Sequence, residues 1–264
     1  MAETDSLGAL SRPAGPDAES RPLQGLALLL TAARTAAAYL AISLYLLLVG
    51  PPGMLLALLF RWGDLVHILG HGGVWLALTI TGIRCRLEGR EHLIHGRAAV
   101  YCANHESNVD PPALYHILHP RLHVLYKAEL RYVPLLGQAM ALAGFVAVDR
   151  RNRDQAARSL DLAAERLRGG ASFLVFPEGT RSRTGELLPF KKGGFIMAIK
   201  GQAPIVPVAV SGGRAAMAKG SVLVRPIVLR VRVGEAVETA GATLEDRHRV
   251  IAEVRRRIQA MLEQ

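Results

Sequence analysis

The pattern of apolar and polar positions divides the chain into three parts. Residues 1–22 are polar, interrupted by Pro13, Pro16 and Pro22, and carry the acids Glu3, Asp5, Asp17 and Glu19. That is the composition of a disordered tail. Its acids argue against a secretory signal, which opens on a basic stretch. Residues 23–50 are apolar almost throughout, with Arg34 as their one charge. A bilayer-spanning helix needs about 20 such residues. Pro51-Pro52-Gly53 is expected to break that helix. A short apolar run, 54–60, follows and is closed by Arg61 and Trp62, a pair suited to a membrane interface. A third apolar run, 65–83, contains His67 and His71. Residues 23–83 therefore read as a membrane-associated helical segment. One span, a re-entrant hairpin, an interfacial helix pair and a set of buried soluble helices all fit the pattern.

Beyond residue 84 short apolar runs alternate with amphipathic helical patterns, which predicts an α/β domain over 84–264. The predicted strands are 98–103, 122–126, 144–148, 172–176, 205–210 and 221–233. Helices are predicted near 111–118, 134–142, 153–168, 192–200 and 244–262. The last of these carries a capping-box relation between Thr243 and Asp246. Its apolar face consists of Ile251, Val254, Ile258 and Met261. The expected fold is a mixed sheet flanked by helices, preceded by the membrane-associated segment.

Composition narrows the partners. Half of the residues are hydrophobic, an excess concentrated in 23–83, while the net charge is +10. Such a balance points to an anionic partner: nucleic acid, a lipid surface or a phosphorylated substrate. Aromatic residues are only 5%, which disfavours stacking platforms for single-stranded nucleic acid. Cys85 and Cys102 form no CxxC pair, so neither a disulfide scaffold nor a Cys-type zinc site is indicated. His67 and His71 share a helical face, yet no third ligand or intervening Glu accompanies them. No metal is expected. There is no phosphate-binding GxxxxGK[ST] loop and no dinucleotide fingerprint.

The chemistry gathers at strand ends, where α/β folds bind their ligands. Residues 104–110, NHESNVD, follow the 98–103 run and precede Pro111-Pro112. On one continuous helix, positions five apart sit roughly 140° apart. If 105–109 is a turn instead, Asp110 can swing back to His105, hold one ring nitrogen and leave the other free as a base. Pro111 at the first helical position makes Asp110 a natural N-cap. The plain alternative is a helix cap beside a surface histidine. Three more strand ends carry cations: Lys127, Arg150-Arg151, and Pro177-Glu178-Gly179-Thr180-Arg181-Ser182-Arg183. Arg, Lys and a glycine-bearing turn can form a phosphate pocket. Lys191-Lys192 fits either that pocket or a membrane-facing surface.

The strings NHESNVD, GFVAVDR (144–150), FPEGTRS (176–182) and PIVPVAV (204–210) occur in the order and spacing of the four motifs of the glycerolipid acyltransferases. Over roughly 84–261 the chain resembles the 1-acyl-sn-glycerol-3-phosphate acyltransferases. Its N-terminal segment matches theirs only in kind. The resemblance implies that His105 is the general base and Asp110 its orienting partner. It also implies that Arg150 contacts the acceptor phosphate and that Glu178, Gly179, Thr180 and Arg181 bind the acceptor. By the same resemblance Pro207 is expected to shape the acyl-donor side, and Lys127 occupies a position often basic in the family. Ala147 departs from the bulkier residue common there, which puts the shape of that part of the pocket in doubt.

The implied reaction transfers a fatty acyl group to the sn-2 hydroxyl of 1-acyl-glycerol 3-phosphate. The co-substrate is acyl-CoA or an acyl carrier protein thioester, and no cofactor is needed. The expected partners are a lysophospholipid acceptor, the thioester and membrane lipids, not nucleic acid. The expected location is the membrane, with the catalytic domain facing the cytoplasm. No GxSxG turn frames a serine nucleophile. Other acceptors remain open: glycerol 3-phosphate, another lysophospholipid or a lyso-amino-acid lipid. So does a non-catalytic protein that binds anionic lipid.

Overall fold

A computed structural model describes residues 24–149 and 151–264. The apolar N-terminal part forms three helices, α1 (Gly25–Leu48), α2 (Gly50–Leu59) and α3 (Gly63–Thr81). The prolines divide the apolar run into α1 and α2 at Val49, as expected, without turning the chain out of helical conformation. They sit in the first turn of α2, where their missing N–H groups are not needed. Val49 stays helical and accepts from the Gly53 amide at 3.0 Å. Gly25–Leu59 is thus a 35-residue apolar run, long and apolar enough to cross a membrane. Most of its leucines face outward, among them Leu29, Leu40, Leu48, Leu55 and Leu59. Small and hydroxylated residues, Thr31, Thr35, Ala38 and Ala57, make its buried face.

A seven-stranded mixed sheet follows, flanked by helices. Its strands are β1 (Arg84–Glu88), β2 (Val100–Ala103), β3 (Leu122–Lys127), β4 (Val146–Val148), β5 (Ser172–Val175), β6 (Ile205–Ser211) and β7 (Val228–Val233), in the order β1-β7-β6-β2-β5-β3-β4. β6, β2, β5, β3 and β4 run parallel. β7 is antiparallel to β6, and β1 is parallel to β7. The inner strands VYCA and SFLV are buried at every position, as parallel strands covered on both faces must be. Their side chains divide by the two-residue period of a strand. Ala99, Tyr101, Ala103, Leu174, Val206, Val208 and Val210 face one core with α4 (Asp110–Leu118). Val100, Cys102, Phe173, Val175 and Ile205 face the other. There they meet α6 (Arg153–Arg168), α7 (Gly193–Gly201) and α9 (Arg247–Leu262). Each such side chain contributes about 1.5–3 kcal/mol on burial.

Three expectations need correction. β1 was not anticipated: RCRLE has only two apolar residues, yet it pairs along its length with β7. The 221–233 run forms a strand only from Val228; the stretch before it crosses to α1 and forms no ladder. The 144–148 strand starts at Val146 because Gly144 ends the helix α5 (Leu136–Leu142) with φ +78°, a turn conformation. The capping box expected at the last helix opens a 3-10 turn, Leu244–Asp246, that leads into α9: the Thr243 hydroxyl accepts from the Glu245 amide at 3.3 Å and the Thr243 amide donates to Asp246 at 2.9 Å.

His67 and His71 serve the joint between α3 and α4. His67 Nδ1 lies 3.2 Å from the Tyr115 hydroxyl, and His71 Nε2 lies 3.0 Å from the Pro120 carbonyl. α1 is tied to the sheet domain as well. The Thr35 hydroxyl accepts from the Val224 amide at 3.0 Å, and the Tyr39 hydroxyl donates to the Val222 carbonyl at 3.0 Å. Antiparallel pairing puts the start of β7 beside the end of β6, with Ser211 opposite Arg230. The apolar helices therefore join the sheet at the edge where its parallel strands end.

Candidate active site

Three neighbouring strands, β6, β2 and β5, end side by side at that edge. The turn after β2 carries His105. Asn104 fixes where this turn begins: its side chain donates to the Val210 carbonyl at 2.8 Å and accepts from the Val210 amide at 2.7 Å. Residues 105–109 leave the strand as a turn, so Asp110 does swing back. Its Oδ2 accepts from His105 Nδ1 at 3.0 Å and from the amides of Glu106 and Ser107, each at 2.7 Å. The carboxylate is fully buried, while the histidine side chain is 16% exposed. One correction follows. Asp110 is the first residue of α4, not its N-cap, and its carboxylate caps the preceding turn rather than its own helix.

With Nδ1 bonded to a carboxylate, the ring carries its proton there and Nε2 is left as the basic nitrogen. Phe176 packs against the ring, with centroids 4.3 Å apart. Ser107 is buried and donates to the Met217 carbonyl at 2.9 Å; it is a structural hydroxyl. Gly213, after β6, closes on the dyad so tightly that a Cβ there would lie 2.3 Å from Asp110 Oδ1. That position accepts only glycine.

The segment after β5 supplies the second wall. Glu178 is buried, and both of its oxygens accept backbone N–H groups, from His105 at 2.7 Å and from Leu188 at 2.9 Å. The Ser182 amide donates to the His105 carbonyl at 2.7 Å. The 178–182 loop and the histidine turn are thus laced together by backbone. Burial raises the Glu178 carboxyl above its ordinary pKa. Gly179 has φ +67° and lies against the Lys191 side chain. Arg181 Nη1 is buried without a hydrogen-bond partner among the described residues.

The remaining sequence candidates are spread more widely. Lys127 ends β3, two strands from β2, about 10 Å away at ~4.8 Å per strand, and is ion-paired with Glu129 at 3.0 Å. Thr180 is exposed and accepts from Lys219 Nζ at 3.0 Å. Pro207 is buried inside β6, opposite Cys102 and three residues short of the dyad turn. Arg150 lies outside the described residues.

Sequence reasoning missed two groups here. Glu106 is buried, and its Oε2 faces the Arg214 amide at 3.4 Å. Burial first, and the Asp110 charge second, push its pKa up to about 7. Its position inside the NHESNVD string was the available signal. The other group is the connection after β6, which carries Arg214 and Lys219 to the 180–184 loop; nothing in the sequence marks it.

This arrangement has parallels among known proteins. The sequence model of the Acyltransferase family matches residues 84–211. A 1-acyl-sn-glycerol-3-phosphate acyltransferase of Limnanthes douglasii is 34% identical over 202 residues, covering 73% of this chain and 70% of the relative. The 1-acyl-sn-glycerol-3-phosphate acyltransferase beta of Homo sapiens is 31% identical over 228 residues, covering 84% and 82%. The crystal structure of the 1-acyl-sn-glycerophosphate (LPA) acyltransferase PlsC from Thermotoga maritima superposes with a TM-score of 0.75 at 27% identity, over 90% of this chain and 97% of that one. The fold and the matches define an acyltransferase. The chain belongs to the acyltransferase family of which the 1-acyl-sn-glycerol-3-phosphate acyltransferases are members.

Proposed function

We propose that this enzyme transfers a fatty acyl group from an acyl thioester, acyl-CoA or acyl carrier protein, to the free sn-2 hydroxyl of 1-acyl-glycerol 3-phosphate, giving phosphatidic acid. The observation that carries the reading is the 3.0 Å His105–Asp110 bond beside a loop bearing the Arg181 nitrogen, which is buried without a partner among the described residues. His105 Nε2 takes the hydroxyl proton as the oxygen attacks the thioester carbonyl. Asp110 keeps the tautomer and stabilises the imidazolium without taking the proton itself. The tetrahedral intermediate then collapses, expelling the thiolate, which recovers the proton from the imidazolium. Arg181 and the 179–181 backbone hold the acceptor phosphate, and that orientation supplies the entropic advantage of a bound pair. Glu178 acts by fixing the histidine turn and the phosphate loop relative to each other. No cofactor or metal enters the reaction.

Residues 23–83 serve as the membrane segment and 84–264 as the catalytic domain. The apolar helices join the sheet at the edge that carries the dyad, so the base is held near the interface where an amphipathic acceptor resides. An acceptor met there need not expose its chain to water, at about 0.8 kcal/mol per CH₂. A water-soluble thioester donor requires the catalytic domain to face the cytoplasm.

The test is product identification. Purified protein in detergent or vesicles is mixed with lysophosphatidate and labelled acyl-CoA, beside glycerol 3-phosphate and other lysophospholipids as acceptors. Phosphatidate should be the main product, and His105→Ala should lower the rate about 10²–10⁴-fold. Preferred acylation of another acceptor, or an active His105→Ala enzyme, would overturn the assignment.

A further inference from the structure

Several cations elsewhere on this protein are ion-paired. Lys127 pairs with Glu129, Arg97 with Glu238, Lys200 with Asp161 and Arg256 with Glu253. Arg181, Lys191 and Lys219 form no ion pair among the described residues. Lys219 differs from a free surface lysine in being held. Its ammonium donates to the Thr180 hydroxyl at 3.0 Å and to the Arg181 carbonyl at 3.1 Å. Both acceptors are neutral, so the full charge persists, and one of its three protons stays available. The next amide along that loop, Ser182, donates to His105, which puts the ammonium one residue from the contact that fixes the base.

The connection that carries Lys219 follows β6 and lies beyond the 84–211 family match. It is anchored on both sides. Before Lys219, the Met217 carbonyl accepts from Ser107 inside the dyad turn. After it, Val222 and Val224 bond to Tyr39 and Thr35 of α1. One short stretch of chain thus touches the base-bearing turn, the phosphate loop and the apolar helix.

We propose that Lys219 is a specificity-determining residue that binds the acceptor's phosphate together with Arg181, its position set by the strap running from the dyad turn to α1. This inference rests on the phosphorylated acceptor assigned above. An unneutralised ammonium held on the backbone of the loop that bears Arg181 suits a phosphomonoester, the most highly charged headgroup a lysolipid can present, because a dianion attracts such cations most strongly.

The test compares Lys219→Met and Lys219→Arg with the wild type in full-length enzyme in mixed micelles, varying lysophosphatidate and oleoyl-CoA separately. Lys219 is exposed, so both variants should melt like the wild type. Lys219→Met should raise the KM for lysophosphatidate about tenfold or more, the worth of one charge-assisted hydrogen bond. Its KM for oleoyl-CoA should stay within about twofold and its kcat within about threefold. Lys219→Arg, which keeps the charge, should retain most of the wild-type affinity. An unchanged lysophosphatidate KM, or a fall in kcat with both KM values constant, would overturn the proposal and leave Lys219 as a brace for the loop. A wild-type enzyme that acylates only phosphate-free acceptors would remove the functional reading itself, an outcome distinct from a silent Lys219 in an enzyme that does use lysophosphatidate.

Discussion

Replacing Asp110 separates the electrostatic and architectural parts of the dyad. All three of its hydrogen bonds, from His105 Nδ1 and the amides of Glu106 and Ser107, fall on Oδ2, while Oδ1 has no partner among the described residues. Asp110→Asn can therefore place its carbonyl at the Oδ2 position. The turn and the Nδ1–H tautomer survive, and only the charge is lost. A unit charge about 4 Å from the imidazolium is worth about 4 kcal/mol at an effective dielectric of about 20, so kcat should fall about 10³-fold. The stability loss should be modest, about 1–3 kcal/mol for the amide group left unpaired at Oδ1.

Asp110→Ala removes the acceptor altogether. It leaves the Glu106 and Ser107 amides unsatisfied at about 1–3 kcal/mol each, so about 2–6 kcal/mol of stability should go with the activity. Acyl transfer from labelled acyl-CoA gives kcat, and denaturant melts give stability. An Asp110→Asn enzyme that keeps more than about a tenth of wild-type kcat would refute the imidazolium argument. Equal destabilisation of the two variants would refute the assignment of all three bonds to one oxygen.

Two further outcomes test the carboxylates around the dyad. Glu106 keeps its proton in the folded state up to about pH 7 but loses it near 4.3 when unfolded. The unfolded chain thus binds fewer protons in that window, and stability falls as pH rises through it. Glu106→Gln should match the wild type near pH 4 and exceed it by about 3.6 kcal/mol at pH 8; parallel stability–pH curves would contradict this. Glu178→Ala frees the His105 and Leu188 amides, so kcat and melting temperature should drop while the lysophosphatidate KM stays within about twofold. A selective rise in that KM would make Glu178 an acceptor ligand instead of a positioning residue.

Much of this protein was legible from its amino-acid order because the relevant interactions are local. His105 and Asp110 are five residues apart, and a proline pair dictates where the helix after them begins, so their contact follows from one turn. The inner strands and amphipathic helices declare themselves through periods of two and of 3.6 residues, since burial on a given face repeats with the backbone geometry. The cap at Thr243 is likewise a matter of three residues. What escaped depends on partners far along the chain. RCRLE becomes a strand because β7, some 140 residues later, offers it a ladder. Pro207 stands in a motif string, but its burial comes from its register with Cys102 in the sheet.

Order along the chain thus settled the acyltransferase class and the contact of His105 with Asp110, through short-range geometry that no distant contact can undo. Strand order and register decided the rest. They brought the ends of β6, β2 and β5 together, set Lys127 behind an ion pair, and turned an unremarkable stretch at 213–225 into a strap between the apolar helix and the dyad. Those placements depend on loop closure over scores of residues, and no local pattern encodes which distant neighbour a residue will meet.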